Sequence, residues 1–175
     1  MKFIAVDVET SNFQKSSICQ IGLVVFENGK IQDTWTTLIN PNEHFEWKCT
    51  DIHGINENDV VNAPTIPDVY EVIKSYLENN IVVSHMSFDH LAFDKTFEKH
   101  GFEILNSEWL DSARIARRTW EQFSKKGYGL ANLAQHFNIS FKHHDALEDA
   151  RVCGLILLEA LKFTGKSLNE LIESS

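Results

Sequence analysis

The sequence predicts an α/β domain with a mixed five-stranded sheet, helices on both faces and a single core. Three observations predict it. Apolar, β-rich segments crowd the first forty residues. A strong hairpin signal, Asn28-Gly29, joins two of them. Beyond residue 65, segments of helical period alternate with short apolar runs.

The elements follow in order. Residues 2–8 read as a first strand. "SSICQIGLVVFENGKIQDTWTTLIN" reads as two strands around the Asn28-Gly29 turn, which makes the opening an antiparallel meander. "PNEHFEWKCTDIHGINENDVVNAPT" is irregular, with room for a short helix. Apolar residues at 66, 69, 73 and 77 predict an amphipathic helix ending near Glu78. Ile81-Val82-Val83-Ser84 is a short strand, and a helix is expected over about 87–100. "EWLDS" is expected as a last strand, leading into the helix "ARIARRTWEQF". "GYGLANLAQHFNI" predicts a short helix with Leu130, Leu133, Ala134 and Phe137 inward. "DALEDARVCGLILLEALKF" is the longest helix, with Leu147, Ala150, Leu155 and Leu158 expected in the core. "GKSLNELIESS" reads as a capping tail.

Composition bounds the function. With 175 residues, the chain fits one domain over residues 1–175. No apolar run approaches the roughly 20 residues that cross a bilayer, and no secretory leader is evident at the N-terminus. Cys19, Cys49 and Cys153 are scattered and odd in number, which argues for reduced thiols and a cytoplasmic location. A formal charge of −9 argues against coating nucleic acid through a basic surface. It does not argue against a nuclease whose acids gather around cations. Arg114, Arg117, Arg118, Lys125 and Lys126 form the basic clusters, and read most simply as solvated surface.

The first strand carries an anomaly. Asp7 and Glu9 stand two apart in a segment apolar enough to be a central strand, so both side chains point to one face. Burying two like charges is costly unless something positive meets them. Asp89 follows the short strand near a helix start, and Asp149 opens the long helix. Four carboxylates from three distant segments suit a pair of hard divalent cations, Mg²⁺ or Mn²⁺, about 3.5–4 Å apart. Asp145 and Glu148 resemble a capping box, which leaves Asp149 free to turn inward. His144 precedes the cap and can approach the same site from the loop, where an imidazole of ordinary pKa near 6.5 can take a proton from water.

Together these segments resemble the DEDD-type 3′→5′ exonucleases of the histidine subtype. That family includes the proofreading epsilon subunit of replicative polymerases and ribonuclease T. The likeness covers about residues 3–163. It is carried by "DVETSNF", "HMSFD" and "HDALEDA", with "LDSARIARR" and "GLANLAQHFNI" in support. It implies a ribonuclease H-like fold and release of nucleoside 5′-monophosphates from single-stranded or frayed 3′ ends of DNA or RNA. By that likeness Asp7, Glu9, Asp89 and Asp149 are metal ligands for two ions, and His144 is the general base. Thr10 is placed at the terminal nucleotide; His85 is expected to pack at the strand end, with contact to the 3′ terminus the other reading.

The chain departs from the family pattern at three points. Asn12 replaces a glycine, and tolerates left-handed backbone better than most residues. Phe13 replaces Leu or Met, and is expected either to stack on the terminal base or to plug the core. "HMSFD" is one residue short and lacks an Asn. His53 matches a family histidine or serves as a turn residue beside Gly54, and Phe45 and Trp47 are read as base-channel or packing aromatics. Low basicity leaves room for a polymerase or accessory-domain partner, and no oligomeric state is implied. The competing reading is a catalytically silent module that binds strand ends or a polymerase.

Overall fold

The computed structural model describes residues 1–173, so the last two residues of the expected tail lie outside the described residues. Five strands form one sheet in the order β3-β2-β1-β4-β5. They are β1 (Lys2–Thr10), β2 (Ile18–Glu27), β3 (Lys30–Leu38), β4 (Ile81–Ser84) and β5 (Glu108–Asp111). β1 pairs antiparallel with β2 and parallel with β4, and β5 adds parallel to β4. The hairpin forms at Asn28-Gly29, where both residues adopt the positive φ that a two-residue turn between twisted strands demands.

The helices are α1 (Trp47–His53), α2 (Glu57–Val60), α3 (Ile66–Leu77), α4 (Phe88–His100), α5 (Ser112–Thr119), α6 (Leu130–His136), α7 (Ala146–Thr164) and α8 (Leu168–Glu173). Strand alternation sorts the core into two layers. Phe3 and Ala5 of β1 face α5, α6 and α7, whereas Ile4, Val6 and Val8 face α3 and α4. Leu168 and Leu171 of α8 close the first layer, as a capping segment should.

Three details differ from the sequence reading. β1 continues two residues further, through Glu9 and Thr10. α5 stops at Thr119, and Trp120 turns into the core beside a single 3₁₀ turn. On α7, Ala150 is fully buried, but Leu147, Leu155 and Leu158 are only partly so. Small residues instead bring α7 close to the sheet. A methyl group on Gly154 would lie 2.1 Å from the Phe26 ring, and one on Gly22 of β2 would lie 2.3 Å from the Ala146 backbone. Helix and strand each give up a side chain where the other needs the space.

Candidate active site

The position of the site follows from where β1 loses its neighbour. β4 pairs with β1 only at Ile4 and Ala5, and then the two strands diverge. The crevice opens at the carboxyl ends of strands where the sheet changes from antiparallel to parallel pairing, a place where α/β sheets bind ligands. Past the divergence the Val8 N–H donates to Asp89 Oδ1 at 3.0 Å, so the first turn of α4 caps the freed edge of β1. A register shift between Glu9 and Thr10 bends the strand there.

α7 supplies the opposite wall. Gly22 stands opposite Asp7, and its missing side chain lets the first turn of α7 settle over the acids. Gln20 stands opposite Glu9, and its Oε1 accepts from Ala146 N–H at 3.1 Å. Asp145 caps α7 through the Glu148 N–H. The reciprocal half of the expected capping box does not form. Glu148 forks with Arg151 at 2.8 and 3.1 Å instead, a charged pair stronger than a bond to one backbone N–H.

Asp7, Glu9 and Asp149 thereby come together, with one carboxylate oxygen from each lying within 4.8 Å of the others. Asp89 and His144 line the same cavity, and no lysine or arginine lines it among the described residues. The electrostatics reflect that imbalance. Burial, reinforced by Asp89, Asp149 and Glu9, raises Asp7 well above the carboxylate range. Burial, then Asp149 and Asp89, lifts Glu9 to about 8. Burial lifts Asp89 to about 7 against the opposing Val8 N–H bond, and lifts Asp149 to about 6 against the His144 N–H bond. Asp149 Oδ1 is buried without a hydrogen-bond partner among the described residues.

His144 takes a left-handed backbone conformation, φ 65°, uncommon for a residue other than glycine. Its N–H donates to Asp149 Oδ2 at 3.1 Å, which binds the loop to the helix it precedes. Burial, with His143 alongside, lowers its pKa, so the imidazole is neutral at pH 7 and free to accept a proton.

The remaining expected residues divide. Thr10 and His85 line the cavity. His85 Nδ1 is held 2.8 Å from Ser112 Oγ, and burial pushes the ring down to about 4. Phe13 is 71% exposed, which removes the core-plug reading. Trp47 is also exposed, whereas Phe45 packs beside Cys19, Ile55 and Val60. Asp111 plays a structural part, capping α5 and accepting from Met86 N–H.

Sequence reasoning under-read His53. The Ile55 N–H donates to its Nδ1, so Nε2 carries the proton and donates to the Thr10 carbonyl at 3.1 Å. α1 is thereby tied to β1, and it places Cys49 and Ile52 in the cavity wall. The roles of Gln20 and Gly22 were also missed. A glycine inside an otherwise largely apolar strand was the available signal.

Comparisons with known proteins bear on the family and the fold. An exonuclease family model of the RNase T type matches residues 4–157. The chain is 29% identical over 176 residues to a PolC-type DNA polymerase III of Clostridium perfringens, covering 97% of this chain and 12% of the polymerase. It is 33% identical over 166 residues to the 3′-5′ exonuclease DinG of Bacillus subtilis, covering 92% of this chain and 18% of DinG. The chain thus spans less than a fifth of these relatives. Among solved structures, Exonuclease X in complex with 5′ overhanging duplex DNA superposes with a TM-score of 0.77 at 23% identity, covering 98% of both chains. The nuclease domain of 3′hExo, a DEDDh family member bound to rAMP, gives 0.70 at 15% identity, covering 92% of this chain and 90% of that one. Both superpositions are evidence of a shared fold. With the family model spanning nearly the whole chain and all three motifs converging on one crevice, the chain belongs to the exonuclease family that its motifs resemble.

Proposed function

We propose that this chain is a divalent-metal-dependent 3′→5′ exonuclease, releasing nucleoside 5′-monophosphates from single-stranded or frayed 3′ ends. The observation that carries this reading is the convergence of Asp7, Glu9 and Asp149 in a cavity that Asp89 also lines, with no lysine or arginine lining it among the described residues. The donors fit hard cations. They are all oxygen, they come from rigid elements, and Asp149 Oδ1 is a buried acceptor without a donor. Asp7, Glu9, Asp89 and Asp149 would hold two Mg²⁺ or Mn²⁺ ions. When bound, such ions polarise the scissile phosphate and acidify a water.

The chain's own groups do the rest. Neutral His144 accepts the proton of the attacking water, and its N–H bond to Asp149 keeps the loop against the acids. Thr10 contacts the terminal nucleotide from β1, on a carbonyl already fixed by His53. His85, neutral, held by Ser112 through Nδ1 and with Nε2 buried, packs at the end of β4 and fixes that wall of the cavity. Exposed Phe13 gives an unstacked base an aromatic surface. DNA is the favoured substrate, since the polymerase and DinG relatives both match along this chain. Those relatives also favour a polymerase or a further domain as partner, to supply grip that an acidic chain lacks.

The test is digestion of 5′-labelled single-stranded DNA, single-stranded RNA and 3′-mismatched duplex with Mg²⁺. The expected result is a ladder shortening from the 3′ end, with nucleoside 5′-monophosphates as product, abolished by Asp7→Asn. Internal cleavage, or digestion that persists in Asp7→Asn, would overturn the reading.

A further inference from the structure

One histidine beside the crevice has entered so far only as the neighbour of His144. His143 precedes His144, and its Nε2 lies 3.9 Å from Asp149 Oδ2. The two imidazole rings lie with centroids 3.8 Å apart. One ligand atom from each of His143, His144 and Asp149 falls within 4.8 Å of the other two. Tetrahedral zinc with ligands at about 2.0–2.1 Å needs its donor atoms about 3.4 Å apart, so small side-chain rotations complete the set. The His143 side chain is 41% exposed and free to make them. Asp149 is 96% buried; its Oδ2 faces His143 and accepts from the His144 N–H, while Oδ1 of the same carboxylate has no hydrogen-bond partner among the described residues.

We propose that His143, His144 and Asp149 form a second metal site, selective for a borderline transition ion such as Zn²⁺. Two imidazoles and one carboxylate suit zinc, with a fourth position left open to water. Mg²⁺ prefers oxygen donors and sheds its water reluctantly, so it competes poorly for two nitrogens. The all-carboxylate set of Asp7, Glu9 and Asp149 has the opposite preference. The two sites share Asp149, and zinc would also occupy the nitrogen with which His144 takes its proton. Zinc is therefore an inhibitor of the Mg²⁺-supported reaction. That consequence rests on the roles proposed for His144 and Asp149; the binding itself does not.

The experiment is calorimetric titration of the whole chain with Zn²⁺ in millimolar Mg²⁺, repeated with His143→Gln, alongside Mg²⁺-supported digestion at each zinc concentration. The expected result is one tight Zn²⁺ per chain, weakened at least about tenfold in His143→Gln, or about 1.4 kcal/mol. Measured against its own zinc-free rate, the variant resists zinc inhibition by the same factor. Equal zinc affinity in wild type and variant, or no zinc binding in excess Mg²⁺, would overturn the site. If wild type binds zinc through His143 but digests nothing with Mg²⁺, the site stands and the exonuclease reading fails.

Discussion

The two halves of β1 are opposite in character. In the first half Phe3 and Ala5 are fully buried, both neighbouring strands are paired, and the Phe3 ring stacks on Phe26 with centroids 4.9 Å apart. In the second half β4 has departed, and Asp7 and Glu9 crowd toward Asp149 in a cavity that no lysine or arginine lines among the described residues. One half of the strand stabilises the fold. The other half spends some of that stability to hold charges in place, as preorganised sites do. A single strand joins the two, so the site inherits the rigidity of the core.

Substitutions in the two halves should therefore separate activity from stability. The largest expected effect is on chemistry. Asp7→Asn should cost about 10⁴-fold in digestion rate, or ~5 kcal/mol of barrier, while leaving the metal-free chain as stable or more so. Phe3→Ala should do the reverse, losing about 3–5 kcal/mol of stability in urea titration while the surviving folded fraction still binds Mn²⁺. Gly22→Ala lies between these cases. Its methyl meets Ala146 backbone that cannot move aside cheaply. The expected loss is about 1–3 kcal/mol in stability, with a weakened Mn²⁺ affinity because the first turn of α7 is displaced from the acids.

The smallest effect is a pH dependence. Glu9 in the folded chain titrates at about 8, above its unfolded value. A carboxyl raised in this way favours the fold while it is protonated. Its contribution is full below the unfolded pKa and is lost as pH rises through about 8. Asp89, at about 7, and Asp149, at about 6, act in the same direction. Without metal, thermal scans should give a lower melting temperature at pH 8 than at pH 5. Glu9→Gln should flatten that slope, with a difference of a few degrees for each ~1 kcal/mol.

Much of this was legible in the sequence because its signals are local. A period of two puts Asp7 and Glu9 on one face whatever the rest of the chain does. Positive φ at Asn28-Gly29 is a property of the dipeptide. Asp89 and Asp149 stand at helix starts marked by their own neighbours. What was hidden depends on contacts between segments. α7 is apolar around much of its circumference, so hydrophobic period alone did not separate Leu147 from Leu157, and only the close approach at Gly154 settles which face is innermost. Glu148 could have capped its helix until Arg151 outcompeted the backbone. The bond from Gln20 to Ala146 spans 126 positions, and no local pattern announces it.

The most direct measurement of the central claim is the melting temperature of wild type and Asp7→Asn, with chelator and with Mn²⁺, at pH 5 and pH 8. If the acids are held uncompensated for divalent cations, Mn²⁺ raises the wild-type value, and raises it more at pH 8 than at pH 5. Asp7→Asn then melts no lower than wild type in chelator and gains little from Mn²⁺. A wild-type chain indifferent to Mn²⁺ at both pH values, or an Asp7→Asn variant that melts well below it in chelator, would contradict the account.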